Sequence, residues 1–376
     1  MRIMIVTDAW VPQTNGVVRT LAQTAQWLCR FGHDVRMLTP LDFRSIACPT
    51  YPEIRLSLLP QRPVARSIAE FAPQALHIAT EGPLGLAARR YCLRHQLRFT
   101  TSYHTQFPQY LRARFPIPIG FSYWALQRFH GAAVRCMVST VSLRRELQAR
   151  GFENLAAWRR GVDTELFKPS PKSFLTLPRP LAAYVGRVAV EKNVEAFLQM
   201  PWEGGKIVIG DGPERARLQS QYPETVFTGF RFAEDLAAHL AAADVMVFPS
   251  LTDTFGLVNL EAMACGVPVA AYPVNGPIDV IQDGVTGALD LDLAKAARRA
   301  LLLDPHVCRE NAVRCGWDAS AREFEANLVA CRPNHTLHRD TWARELQRGP
   351  SAATGKHRAS AEIDLRLEVA ARISAR

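Results

Sequence analysis

Strand-like and helix-like segments alternate along this chain once, stop at prolines, and begin again. The first series has apolar strand patterns at Arg2–Val6, Asp34–Thr39, Ala75–Ala79, Arg98–Ser102 and Met137–Val141. Between the first two, Val18, Leu21, Ala25 and Leu28 recur at helical spacing, which predicts a helix over Val17–Phe31 capped by Gly32. The stretches Lys168–Ser173 and Leu177–Pro180 carry paired prolines, which continue neither a helix nor a central strand. The second series predicts strands at Leu181–Val185, Lys206–Ile209, Val226–Thr228, Val245–Phe248 and Val267–Ala271. Its helices are expected near Val194–Met200, Glu214–Ser220, Ala233–Ala243, Phe255–Cys265 and Leu293–Leu303. Such alternation belongs to α/β domains built on parallel sheets, whose ligands gather at the carboxyl ends of the strands.

The expected division is a first doubly wound domain over 1–170 and a second over 178–315. A helix at 316–330 returns to the first, and a poorly ordered basic tail occupies 331–376, with a further helix over Ala361–Ile373 as an option. At 376 residues the chain is too long for one ordinary domain. No run of apolar residues is long enough to span a bilayer, and MRIMIVTDAW passes from a strand into a polar loop without a signal-peptide core. The eight cysteines form no C-x-x-C pair, so the expectation is free thiols in a reducing cytoplasm.

Charge is unevenly spread. Residues 1–170 hold 22 Lys and Arg against 10 Asp and Glu, a balance of +12, while residues 171–330 hold 14 against 20, a balance of −6. A basic first half suits an anionic partner, either a nucleic acid or a membrane surface; alternatively it is a solvated face. Nucleic-acid vocabulary is missing: no zinc ligands, RNP aromatics or KH-like loop. The basic residues lie among aromatics at Tyr110–Phe115, Phe121, Tyr123, Trp124, Arg128 and Phe129, which suits peripheral attachment to an anionic membrane face. The competing expectation is that these aromatics pack in a core.

Several motifs carry little. No Walker loop is present, and Ile209–Glu214 imitates a dinucleotide loop without its third glycine. Asp290-Leu291-Asp292 has D-x-D form, but its place before a helix suits an N-cap better than a metal ligand, and no metal is expected. Four others are sharper together. Gly16, after Asn15, opens the first helix, where backbone N–H groups meet either an anion or a cap. Arg187 and Lys192 leave a strand end five residues apart, a fork and a point charge suited to a diphosphate or to a surface ion pair. Asp253 and Glu261 stand eight positions apart across a loop and helix start. Thr254, Phe255, Gly256 and Leu257 lie between them, and their backbone N–H groups are expected to aim at a ligand; the alternative is that Asp253 is an N-cap and Glu261 faces solvent. His104, in Tyr103-His104-Thr105, follows a strand at the carboxyl edge of the first sheet.

In order along the chain, VPQTNGVVRT, SYHTQF, GVDTELFKP, GRVAVEKN, IGDGPER, FTGF and TDTFGLVNLEAMACGVPV resemble the family-4 glycosyltransferases of GT-B fold, over roughly residues 1–330. The Thr-Asp-Thr-Phe-Gly form is similar to the lipid-glycosylating branch: sulfoquinovosyl-, glucuronosyl- and digalactosyl-diacylglycerol synthases and phosphatidylinositol mannosyltransferases. The resemblance implies two Rossmann-like domains facing each other across a cleft, and retaining hexosyl transfer from a UDP- or GDP-sugar without a required metal or other cofactor. It also implies that the first domain takes the acceptor, expected to be a membrane lipid such as diacylglycerol at the inner membrane face. By the same resemblance Arg187 and Lys192 neutralise the donor diphosphate and Glu261 binds its ribose. Asp253 binds sugar hydroxyls, His104 lies near the transferred sugar, and Gly16 approaches the phosphates. Many members have Glu where this chain has Asp253, one methylene shorter, which bears on the sugar and not on the reaction type. A soluble or polysaccharide acceptor is the alternative, followed by a sugar-nucleotide epimerase of the same fold and a non-enzymatic nucleic-acid-binding protein.

Overall fold

The computed structural model describes residues 1–13, 15–48, 51–104 and 118–332. They form two compact units, one from Met1–Arg159 together with the segment beginning at Asp318, the other from Arg160–Trp317. The division thus falls at 159/160 and not at the prolines near 170. The reason is packing: Val162 and Phe167 lie in the core of the second unit, and Arg309 donates to the carbonyls of Phe167 and Thr164. The expected tail after 332 and the aromatic stretch 110–115 lie outside the described residues.

In the first unit the strands are β1 (Arg2–Val6), β2 (Asp34–Leu38), β3 (Ser45–Cys48), β4 (Tyr51–Ser57), β5 (Ala75–Ile78), β6 (Thr100–Ser102), β7 (Arg135–Val138) and β8 (Leu155–Ala157). Six of them make a parallel sheet in the order β2-β1-β5-β6-β7-β8, and β3 and β4 pair apart from it as an antiparallel hairpin. Ile3, Met4, Ile5 and Val6 are buried on both faces, so β1 is an unbroken apolar run. Each such side chain contributes about 1.5–3 kcal/mol on burial. Trp158 and Phe324 close one end of this core with rings 4.7 Å apart, seating the helix Trp317–Asn327 on the first unit. The strand expected at Met137–Val141 ends at Val138, because Thr140 caps the helix Val141–Ala149. Tyr123 and Phe129 are core residues and not surface aromatics, whereas Phe121 is 59% exposed and stacks on Trp124.

In the second unit β9 (Ala182–Val185), β10 (Lys206–Ile209), β11 (Val226–Gly229), β12 (Val245–Phe248), β13 (Val269–Ala271) and β14 (Gly287–Leu289) form a parallel sheet. Its order is β11-β10-β9-β12-β13-β14. The chain winds outward one way from β9 and the other way from β12, so the winding direction reverses between these neighbours. Loops at the carboxyl ends of such a strand pair splay apart and leave room for a ligand. Among the described residues no helix is long and apolar enough to cross a membrane.

Candidate functional site

The loop after β9 carries both expected cations. Gly186 adopts φ +149°, and a Cβ there would press on the Tyr184 hydroxyl, which donates to the Arg187 carbonyl at 2.7 Å. The next loop buttresses it. Val188 N–H donates to Asp211 O at 2.8 Å and Glu214 N–H to Val188 O at 3.1 Å. Gly210 and Gly212 have positive φ, and a Cβ on either would collide with the Gly186 or Val188 carbonyl. The glycines of the weak dinucleotide motif therefore allow two backbones to touch, a role that motif spacing alone does not reveal. Asp211 holds Arg215 at 2.6 Å.

Lys192 closes a short turn before Asn193, which takes the left-handed conformation at φ +52° and donates from Nδ2 to Pro249 O at 3.1 Å. That bond ties the loop after β9 to the loop after β12. Asn tolerates this backbone better than most residues, the only hint that the sequence offered. Across the same gap Lys192 Nζ donates to Asp253 Oδ2 at 2.7 Å. The other oxygen, Oδ1, accepts from the N–H groups of Thr254 at 2.8 Å and Phe255 at 3.3 Å. Burial pushes the Asp253 carboxyl up, but the Lys192 ammonium and these two N–H donors outweigh it and hold the carboxyl below its ordinary range.

Three expectations are corrected here. Thr254 and Phe255 direct their N–H groups at the Asp253 carboxylate and not outward. The helix begins at Leu257 and not at Phe255, because Gly256 turns the chain at φ +79°. Glu261, in that helix, is 5% exposed and so is not a solvent-facing acid. Burial and the Glu261 carboxylate together raise the Cys265 thiol to about 12. Asp292 caps the helix Leu293–Ala300 and Asp290 pairs with Lys295, so both acids of the D-x-D are engaged locally.

In the first unit, Gly16 is the exposed first residue of the helix Gly16–Arg30, and Asn15 Oδ1 accepts from Val17 and Val18 N–H at 3.0 Å each. The cap therefore uses the donors that an anion would seek at that terminus. His104 follows β6, half-buried, with Nε2 hydrogen-bonded to Ser102 Oγ at 2.8 Å and its ring edge-on to Trp158. Asp8, to which the sequence reading gave no role, caps a second helix: it accepts from Leu84, Gly85 and Thr80. Its burial pushes the carboxyl up against the pull of those donors.

Comparison with known proteins gives the family and the fold. Residues 14–166 match the family described as Glycosyltransferase Family 4, and residues 179–302 match Glycosyl transferases group 1. A GDP-mannose-dependent alpha-mannosyltransferase of Mycolicibacterium smegmatis is 30% identical over 319 residues, covering 78% of this chain and 85% of that one. Sulfoquinovosyl transferase SQD2 of Arabidopsis thaliana is 32% identical over 313 residues, covering 75% of this chain and 61% of that one. Among solved structures, Anabaena HepE in complex with UDP and glucose shares the fold with a TM-score of 0.64 at 16% identity, over 87% of this chain and 98% of that one. The chain belongs to glycosyltransferase family 4, has the GT-B fold, and is a hexosyltransferase.

Proposed function

We propose that this enzyme moves a hexosyl group, with retention of configuration, from a UDP- or GDP-sugar to a membrane lipid such as diacylglycerol, without a metal ion. What carries the reading is the pairing at the winding reversal of the second sheet. Lys192 and Asp253 meet there at 2.7 Å, between the loop that bears Arg187 and the segment that leads to Glu261. Arg187 and Lys192 neutralise the diphosphate, on which charge develops as the glycosidic bond breaks, so they act most strongly in the transition state. Asp253 accepts from sugar hydroxyls, Glu261 from the ribose, and the N–H groups of Gly256 and Leu257 supplement the cations. On the first unit, His104 meets the transferred sugar and Gly16 the phosphates. The acceptor oxygen bonds to the anomeric carbon on the face that the diphosphate leaves, and its proton passes to the departing phosphate.

The GDP-mannose relative supports a guanine nucleotide and HepE a uracil one, so both donors belong in the test. Support for a lipid acceptor comes from the resemblance to the lipid-glycosylating branch, the +12 balance of residues 1–170 and the exposed Phe121 stacked on Trp124. A soluble acceptor is the second reading, favoured by the burial of Tyr123 and Phe129.

The enzyme is incubated with UDP- and GDP-hexoses and liposomes that contain diacylglycerol and anionic lipid, with mass spectrometry of products and flotation of the protein. The proposal expects a hexosyl-lipid with the donor's anomeric configuration, and flotation that weakens as salt screens the charges. An inverted product would contradict retention. Turnover of a soluble acceptor alone, with no flotation, would overturn the lipid assignment.

A further inference from the structure

One serine hydroxyl stands between two imidazoles at the carboxyl end of β6. Ser102 Oγ lies 2.8 Å from His104 Nε2 and 3.0 Å from His77 Nε2. The second nitrogen of His77, Nδ1, lies 2.9 Å from Thr100 Oγ1. The parallel register of β5 and β6 sets this up, since His77 faces Thr100 directly and Ser102 follows two residues on, on the same side of the sheet. His77, Thr100 and Ser102 are all completely buried, so their polar atoms must be satisfied within the protein. Trp158 meets both rings edge-on, at 5.6 Å from His104 and 6.1 Å from His77, and Phe324 adds an edge contact to His77 at 4.8 Å.

A hydroxyl has one proton to donate and lone pairs with which to accept. Facing two Nε2 atoms at bonding distance, it donates to one and accepts from the other. A neutral imidazole protonated at Nε2 is bare at Nδ1, and the reverse, so the bond made at one nitrogen decides the state of the other. The Ala79 carbonyl is the third neighbour of Ser102 Oγ but lies farther off, at 3.4 Å, too long to compete for the proton.

We infer that Ser102 is a positioning residue whose hydroxyl couples the tautomers of His77 and His104: one carries its proton on Nε2, the other on Nδ1. Thr100 anchors the buried end of this relay, and Trp158 packs edge-on against both rings. The nitrogen of His104 that bears the proton is thereby linked to the state of a buried neighbour. The consequence for transfer rests on the proposed place of His104 beside the donor sugar; the tautomer coupling does not.

The test is long-range proton–nitrogen NMR on the full chain labelled with [15N]histidine, without donor, at a pH where imidazoles are neutral. His77→Gln and His104→Gln assign the two signals. Opposite tautomers are expected for His77 and His104 in the unaltered protein. Ser102→Ala should change the tautomer populations of His104, and Ser102→Thr, which keeps a hydroxyl, should restore the wild-type state. Two Nε2-protonated rings in the unaltered protein would overturn the proposal, and that spectrum needs no variant to fold. An unchanged His104 signal in Ser102→Ala would overturn it too.

In parallel, GDP-mannose and UDP-glucose are assayed as donors. With whichever is used, Ser102→Ala should lower kcat on the order of tenfold or more while KM for the donor stays within about twofold, and Ser102→Thr should recover it. An altered tautomer with unaltered kcat would remove the positioning role. If neither sugar is transferred by the unaltered enzyme, the functional reading is at fault while the NMR result still decides the coupling.

Discussion

Lys192 and Asp253, sixty-one residues apart in sequence, meet at 2.7 Å across the point where the second sheet reverses its winding. The pair joins the loop after β9 to the loop after β12, and Asn193 reinforces the join through the Pro249 carbonyl. It also leaves Lys192 only 24% exposed and Asp253 17% exposed, so neither charge is fully screened by water. The cation proposed for the diphosphate and the carboxylate proposed for the sugar thus fix each other's position.

That arrangement predicts how stability responds to acid. The Asp253 carboxyl sits below its ordinary value of 3.8 in the folded protein, so the folded state binds fewer protons there than the unfolded one. Its contribution is complete above that ordinary value and disappears as pH falls through the lowered one. Asp253→Asn should therefore reduce Tm at neutral pH and make Tm less sensitive to pH below about 4. A variant whose Tm falls with acid as steeply as the parent's would contradict the pairing.

Glu261 is assigned to the ribose, remote from the bond that breaks. Glu261→Gln should raise KM for the donor with little change in kcat, the signature of binding that is equal in ground and transition states. Steady-state kinetics decides it. A fall in kcat at unchanged KM would move Glu261 into the chemical step.

Gly210 and Gly212 allow two backbones to touch beneath the cation loop. Gly210→Ala should cost about 1–3 kcal/mol in overpacking, read as a lower urea midpoint. It should also weaken donor binding by displacing the Arg187–Lys192 loop. An unchanged midpoint would mean that the two loops are not in tight register.

If the proposed cation pair receives the diphosphate, it would supply the charge that a divalent ion otherwise supplies, and no metal should be required. Transfer should survive EDTA. Loss of turnover on chelation, restored by magnesium or manganese, would show that the diphosphate is neutralised in another way.

Much of the fold was legible because buried parallel strands are short apolar runs. Lys206–Ile209 and Val245–Phe248 fall where the sequence puts them. Leu155–Ala157 and Gly287–Leu289 were invisible, since three residues carry no period. The strand end at Val138 was misplaced because Thr140 serves the next helix, and a cap competes with an apolar run for the same residues.

The site residues were legible as types and not as partners. The sequence allows Asp253 as a ligand-facing or a capping acid but does not show its partner: one oxygen holds Lys192 and the other accepts from two backbone N–H groups. Asn193, Asp8 and Ser102 were passed over because each acts through a contact set by the tertiary structure. The Asn193 turn, the Asp8 cap and the His77–Ser102–His104 chain all depend on strands meeting in register.

Arg187 and Lys192 are the residues proposed to receive the donor diphosphate. Equilibrium titration of the full chain with GDP and with UDP tests that role most directly, accompanied by transfer kinetics for Arg187→Ala and Lys192→Ala. Nucleoside-diphosphate binding should be saturable and should weaken sharply in both variants, with kcat reduced about 10²–10³-fold, as for a lost oxyanion donor. Diphosphate affinity and turnover within about threefold of the parent in both variants, a change of less than 1 kcal/mol, would contradict it.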